Sequence, residues 1–327
     1  MPHPHDTRER TAAAVAALVA GGPDAGDALA ADAVFHVGAP VGRLDGRDAV
    51  LEGWFAPLRA ALTAPRLRDD IVIGGENRRD YGGEWVACVS HLAGLLTGTL
   101  WGIEGDGRYV SLRIGAFYRI EGARIVEARI IPDLVDLMAQ LGRHPLPLHP
   151  GREIRWPAPM THDGVCPTGG NGAATLDLVE AMLGDLTAYD PETFQSAGQT
   201  GPGGYWAEDM CWYGPGGIGS TTTYPGFDAH HRVAFLTAFP DRVGGNHYCR
   251  IGDGAYAAVS GWPSMTMTHR APYLGQPGDG RALTLRVMDF YRCADSQIAE
   301  NWVLLDYIDL FAQMGRDLIA ERGAARR

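Results

Sequence analysis

The chain says nearly the same thing twice. "EARIIPDLVDLMAQLG", Glu127 to Gly142, returns 173 residues later as "ENWVLLDYIDLFAQMG", Glu300 to Gly315, with Glu, Asp, Asp, Leu, Ala, Gln and Gly at matching places. Upstream, "GDGRYVSLRIGAFYRI" (Gly105 to Ile120) matches "GDGRALTLRVMDFYRC" (Gly278 to Cys293) at nine of sixteen positions and the same offset. Weaker echoes pair "GRDAVLEGWF" with "GFDAHHRVAF" and "DAVFHVG" with "DMCWYGP", at offsets of 180 and 177. A drifting offset implies small loop insertions, and a period this long means duplicated domains, not a solenoid. With 327 residues, each copy can bury a core of its own.

Each copy shows one order of elements. A helix comes first ("TRERTAAAVAALVAGG"; "ATLDLVEAMLGDLTAYD"), with apolar residues three and four apart. A short strand with an aromatic follows (Phe35; Trp212), then a helix through Trp54 or Phe235. Three alternating strands close the copy: "EWVACVSHLAG", "RYVSLRIGAFYRI" and "ARIVEARIIPD", then "AYAAVSGWPSMTMT", "RALTLRVMDFYRC" and "QIAENWVLLD". This order predicts an α+β fold: two tandem cone-shaped domains, each a curved, mostly antiparallel sheet under N-terminal helices. The space between sheet and helices is where a small molecule would bind. The expected domains are 1–142 and 173–327. Residues 143–172, rich in Pro and Gly, form an extended linker, long enough to drape over a domain as a lid.

Composition removes several functions. A net charge of −11 with no basic block argues against nucleic acid and membrane partners. No apolar run approaches the ~20 residues a bilayer span needs, and the Ala-rich N-terminus reads as a first helix rather than a leader. Five unpatterned cysteines fit reduced thiols in the cytoplasm and give no metal framework. There is no lysine, so no internal Schiff base can form. "GGPDAG" and "GPGGIG" lack the strand–loop–helix setting of a phosphate loop.

The acid at the end of the last apolar strand is the chemical candidate. Alternate side chains of a strand share a face, so Asp306 goes with Leu304, Trp302 and Glu300, and Asp133 with Ile131, Arg129 and Glu127. If that face lines the cavity, Asp306 is poorly solvated, its pKa rises, and it can exchange protons near neutral pH. The structural alternative is an N-cap on the helix that follows.

These residues carry a resemblance. "GDGRALTLRVMDFYRC … IAENWVLLDYIDLFAQMG" resembles the SnoaL-like polyketide cyclases, of the nuclear transport factor 2-like superfamily. The resemblance spans both copies and is stronger in the second. It implies a cofactor-free enzyme whose pocket Asp is general acid/base in an intramolecular aldol ring closure of a small, hydrophobic, oxygenated substrate. By position that role falls to Asp306 and, less securely, Asp133, with Trp302 as aromatic neighbour and His269 as the histidine after a Thr. The first copy has Arg129 in place of the Trp, a Pro before its Asp and no matching histidine, so the second is expected to be the active one. The superfamily also implies pairing through the sheets, here within one chain, with association of whole chains left open.

Trp212, Trp262, Tyr273, Phe290, Leu304 and His231 are the other candidates to line the pocket, and His230 and His247 carry weaker claims. Arg113 and Arg286, shared by the copies, are expected in ion pairs. A ketosteroid-isomerase-like enzyme, an epoxide hydrolase using an Asp–Arg–Asp network around Asp306, and a non-catalytic ligand-binding module remain the alternatives.

Overall fold

The computed structural model describes residues 4–147, 156–190, 192–196, 198–201 and 203–325. The first copy runs α1 (Pro4–Ala20), β1 (Leu29–Val37), β2 (Gly42–Asp45), α2 (Arg47–Val50), a π turn (Leu51–Phe55), α3 (Ala56–Ala61), β3 (Leu62–Glu76) and β4 (Glu84–Leu96). A small hairpin, β5 (Thr99–Leu100) and β6 (Ile103–Glu104), precedes β7 (Tyr109–Glu121), β8 (Arg124–Pro132) and α4 (Leu134–Gln140). The second runs α5 (Gly172–Thr187), β9 (Trp206–Tyr213), β10 (Thr221–Thr222), α6 (Tyr224–Phe227), a π turn (Asp228–Arg232), α7 (Val233–Ala238) and β11 (Cys249–Asp253). β12 (Tyr256–Thr268), β13 (Ala282–Ala294), β14 (Gln297–Leu305), α8 (Tyr307–Gln313) and α9 (Leu318–Arg322) complete it.

The two sheets have one topology, β2-β1-β8-β7-β4-β3 and β10-β9-β14-β13-β12-β11. In each, the strand before the paired helices lies parallel to the last strand. No hairpin can join parallel neighbours, so the intervening chain must leave the sheet and cover it. The helical stretches match at an offset of 177, π turn on π turn. The sequence echo at 180 is therefore three residues out of register, a slip that a helix disguises because i and i+3 share a face. The strand missed at the edge of each sheet, β3 or β11, alternates poorly: β3 carries Pro65, Arg66, Arg68, Asp69 and Asp70.

The sheets are buried on both faces. One face of each packs under its own helices. The other packs on the opposite sheet, where Ile71, Ile73, Trp85, Ala87, Phe117 and Ile131 meet Tyr213, Ile251, Ala258, Phe290, Trp302 and Leu304. Phe117 and Phe290, equivalent at the 173-residue offset, touch at 5.5 Å between ring centroids. Contact between equivalent residues marks an axis of pseudo-twofold symmetry, as in an isologous dimer. Gly115 lies beside that axis: a Cβ there would come within 2.6 Å of Leu304 and 3.2 Å of its own counterpart Met288, so the missing side chain lets the sheets close up.

Polar staples fix the pair. Arg8 of α1 is buried against Asp253 at 2.5 Å, and the Gly74 amide donates to the same carboxylate at 2.9 Å. The Asn77 side chain accepts from the Arg250 amide and donates to the Tyr248 carbonyl. Linker residues 156–167 run through this junction. Trp156 lies under the Arg113 guanidinium and donates to Gly214 O, and residues 164–166 hydrogen-bond to Val72 on β3. The lid expectation is corrected accordingly for the described part of the linker; residues 148–155 lie outside it.

Candidate active site

A cavity of about 160 Å³ opens between sheet and helices of the second domain. Its floor is the face of β13 and β14 carrying Leu285, Val287, Asp289 and Tyr291 with Asn301, Val303 and Leu305. Trp206 and Trp212 of β9 form one wall; Phe227, His231, Arg232 and Phe235, on and around the π turn, form the roof. α5 and the loop before β11 close the sides with Leu183, Leu186, Arg242 and His247. The walls are mostly apolar, and the volume is of the order that holds a single aromatic ring.

One carboxyl group stands on the floor. Register across the sheet aligns Arg250, Val259, Asp289 and Val303, and next to them Ala257, Tyr291, Asn301 and Trp212. Burial drives the Asp289 carboxyl up to about 7, and the neighbouring Asn301 and Tyr291 side chains, acting as donors, hold it partly back. The charged form is disfavoured because burial strips water from it and, among the described residues, no cation stands within ion-pair distance. A group with that pKa is half ionised at neutral pH, the condition for giving and taking protons there.

His247 supplies the complementary group. Arg250 Nε donates to its Nδ1 at 3.1 Å. A guanidinium can only donate, so Nδ1 is the unprotonated nitrogen and Nε2 carries the hydrogen. Burial, with Arg250 and Arg79 nearby, takes the imidazole down to about 3, which keeps it a neutral donor through the working pH range. Arg250 is itself fixed by Glu180 of α5 at 3.0 Å and Gly245 O at 3.1 Å. Glu180 in turn receives Arg78 of the first domain at 2.8 Å. The first domain thus reaches the second domain's cavity through two ion pairs and one hydrogen bond.

The sequence-predicted residues divide sharply. Trp212 and His231 line the cavity, their rings stacked at 4.7 Å. Trp302, Leu304 and Phe290 lie on the opposite face of the same sheet, against the first domain. The grouping of Asp306 with Trp302 and Leu304 holds; it is the face that differs. Asp306 Oδ1 accepts the Asp309 amide as cap of α8, and Oδ2 accepts Arg286 at 2.8 Å and the Ala39 amide at 3.2 Å. Burial raises its pKa as expected, while every oxygen is already engaged. Asp133 does the same for α4, with Arg113 at 3.3 Å and the Gly216 amide at 2.8 Å.

An Asp–Arg–Asp group therefore does surround Arg286, with Asp309 at 3.6 Å, but Arg113, Asp133 and Asp136 repeat it in the first domain. Gln140 and Gln313 complete the unit, each bonding its helix's second Asp and the backbone of β7 or β13. Both copies use it to clamp the terminal helix to the sheet, away from the cavity lining. Arg292, the other arginine of β13, bonds Glu300 and not Asp306. His269 is buried beside Phe239 at 5.5 Å, outside the lining. Tyr273 bonds Tyr307 at 2.6 Å between hydroxyls, and Trp262 lies over Arg286 at the domain junction.

Asp289 lies inside a segment that the two copies share, where likeness rather than difference stands out. At the 173-residue offset it faces Ala116, and Asn301 faces Ala128. On the π turn, His231 stands where the first copy has Trp54. Trp54 is buried and stacked on Trp101 at 5.0 Å. A lone acid in an apolar strand, at a position where the copies differ, was the available signal.

No curated protein sequence matches the chain. IdmH from Streptomyces antibioticus, a proposed polyketide cyclase, is 19% identical over 43% of this chain and 99% of its own, with a TM-score of 0.34. A protein with a ketosteroid isomerase-like fold from Catenulispora acidiphila is 21% identical over 41% and 92%, TM-score 0.31. An NTF2-like protein from Cytophaga hutchinsonii is 12% identical over 40% and 99%, TM-score 0.30. Each covers about one copy. The profile of the SnoaL-like polyketide cyclases matches residues 76–141 and 203–314, more than half of the chain and part of both copies, and the chain belongs to that family.

Proposed function

We propose that the second domain is a cofactor-free acid–base enzyme of cyclase or isomerase type, acting on a small carbonyl compound, with Asp289 as the proton-transferring group. The observation that carries this reading is a carboxyl on the floor of an apolar cavity, pushed up to about 7. The Asp289 carboxylate takes a proton from the carbon next to a carbonyl. The electron pair of the broken C–H bond moves into the enolate, whose oxygen accepts from His247 Nε2–H. In a ring closure the enolate carbon then attacks a second carbonyl carbon, and the alkoxide formed takes the proton back from Asp289. In an isomerisation the same proton returns to a different carbon. A hydrogen between two carbonyls is acidic enough for one placed carboxylate to suffice, with orientation supplying much of the rate.

The cavity's size favours a one-ring substrate over a long polyketide. Exchange of the central hydrogens of 1-phenyl-1,3-butanedione with deuterated water, followed by NMR, tests the reading without the natural substrate. The wild type should accelerate exchange, and Asp289→Asn should lose roughly 10³-fold of that acceleration. Undiminished exchange in Asp289→Asn contradicts the assignment.

A further inference from the structure

Three charged side chains line the cavity, and two are cations: Arg232 and Arg242 against Asp289. Arg232 leaves the π turn and Arg242 the loop after α7. Their guanidiniums lie 5.8 and 5.3 Å from the centroid of one ring, Tyr189. Neither is well neutralised. Arg242 donates to the Leu186 carbonyl at 3.4 Å, and no carboxylate stands within ion-pair distance of it among the described residues. Arg232 meets Asp228 only at 3.4 Å, besides the Phe194 carbonyl. Its Nε and Nη2 are buried with no hydrogen-bond partner among the described residues, and the residue is 4% exposed. Asp228 is the one carboxylate in ion-pair distance of Arg232 among the described residues, and burial raises the pKa of that group while Arg232 holds it down. Burial and the charge of Arg232 together lower the pKa of Arg242.

Guanidiniums stay protonated in proteins, and a buried one short of partners is costly. A ligand anion removes that cost, and a carboxylate matches the planar fork of an arginine. A cavity of about 160 Å³ leaves room for little beyond one ring and a short chain. We infer that the ligand of this cavity carries a carboxylate, held by Arg232 and Arg242, while its reacting carbon lies at Asp289. The inference rests on the cavity being the ligand site and names the class of ligand: a small aryl or alkyl oxo acid rather than its ester.

The test uses the full chain at pH 7.5, with 3-phenylpropanoate and the neutral 3-phenylpropanamide as probes. Trp206 and Trp212 line the cavity, so tryptophan fluorescence reports occupancy. The acid should bind at least tenfold more tightly than the amide. Arg242→Met should abolish the difference between acid and amide; Arg232→Lys, which keeps the charge and loses the fork, should reduce the preference severalfold. Equal affinities in the wild type, or a preference that survives Arg242→Met, overturn the inference and leave the acid–base reading standing. Binding of neither probe overturns the inference and the cavity with it. Preference for the acid combined with undiminished exchange in Asp289→Asn sinks the acid–base reading alone.

Discussion

The two domains share a frame and differ in what the frame encloses. Outside, the same Arg, two Asp and Gln fasten the terminal helix to the sheet in each copy. Inside, the first copy presents Ala116, Ala128 and Trp54 where the second has Asp289, Asn301 and His231. Trp54 with Phe35, Phe55 and Tyr118 fills the first interior with buried rings. Duplication preserved what holds the fold together. The cavity lies where the copies parted.

That contrast can be broken first at the clamp. Arg113→Ala strands two buried carboxylates, Asp133 and Asp136, and should destabilise the chain by about 3–5 kcal/mol in denaturant titrations. Arg286 is part-exposed, so Arg286→Ala should cost less, roughly 2 kcal/mol, with exchange per folded molecule unchanged in both variants. A rate loss without a stability loss in either would move the chemistry to the clamp.

The cavity carboxyl should itself be a stability liability. Its folded pKa, about 7, exceeds the unfolded value near 4. The stability it contributes is complete below pH 4 and is lost as pH rises to 7, because the folded state resists ionisation. Asp289→Asn escapes that loss and should be more stable than wild type by roughly 4 kcal/mol at pH 8, with little gain at pH 4. An equal gain at both pH values would mean that Asp289 is not titrating in the cavity.

The smallest expected effect crosses between domains. Arg78→Ala frees one end of the chain Glu180–Arg250–His247 and should slow exchange a few-fold, about 1 kcal/mol, without changing the stability of the second domain appreciably. Arg78→Lys should restore part of it. An unaltered rate in Arg78→Ala would show that the second domain holds His247 unaided.

Much of this architecture is legible in the sequence. The repeat gives two copies, and the alternation in Glu84–Leu96, Tyr109–Glu121 and Ala282–Ala294 gives their strands. The side of the sheet that faces the cavity is not legible, because both faces are buried and both read as apolar. Val303 and Leu305 look no more like a cavity wall than Trp302 and Leu304 do. Parity was therefore right within each set and reversed between sets. Similarity between the copies marks Asp133 and Asp306, which share caps and ion pairs, and leaves Asp289, opposite an alanine, unmarked. His247 was obscured by distance: its tautomer depends on Arg250, Glu180 and Arg78, which the sequence places far apart.

The most direct measurement is the pH dependence of diketone exchange in wild type, Asp289→Asn and Asp306→Asn. The account predicts a rate rising with pH to a plateau, with a midpoint near 7, in wild type and in the folded fraction of Asp306→Asn. It predicts no such titration in Asp289→Asn. A profile that persists in Asp289→Asn and vanishes in Asp306→Asn would contradict it, returning the chemistry to the acid at the end of the last strand.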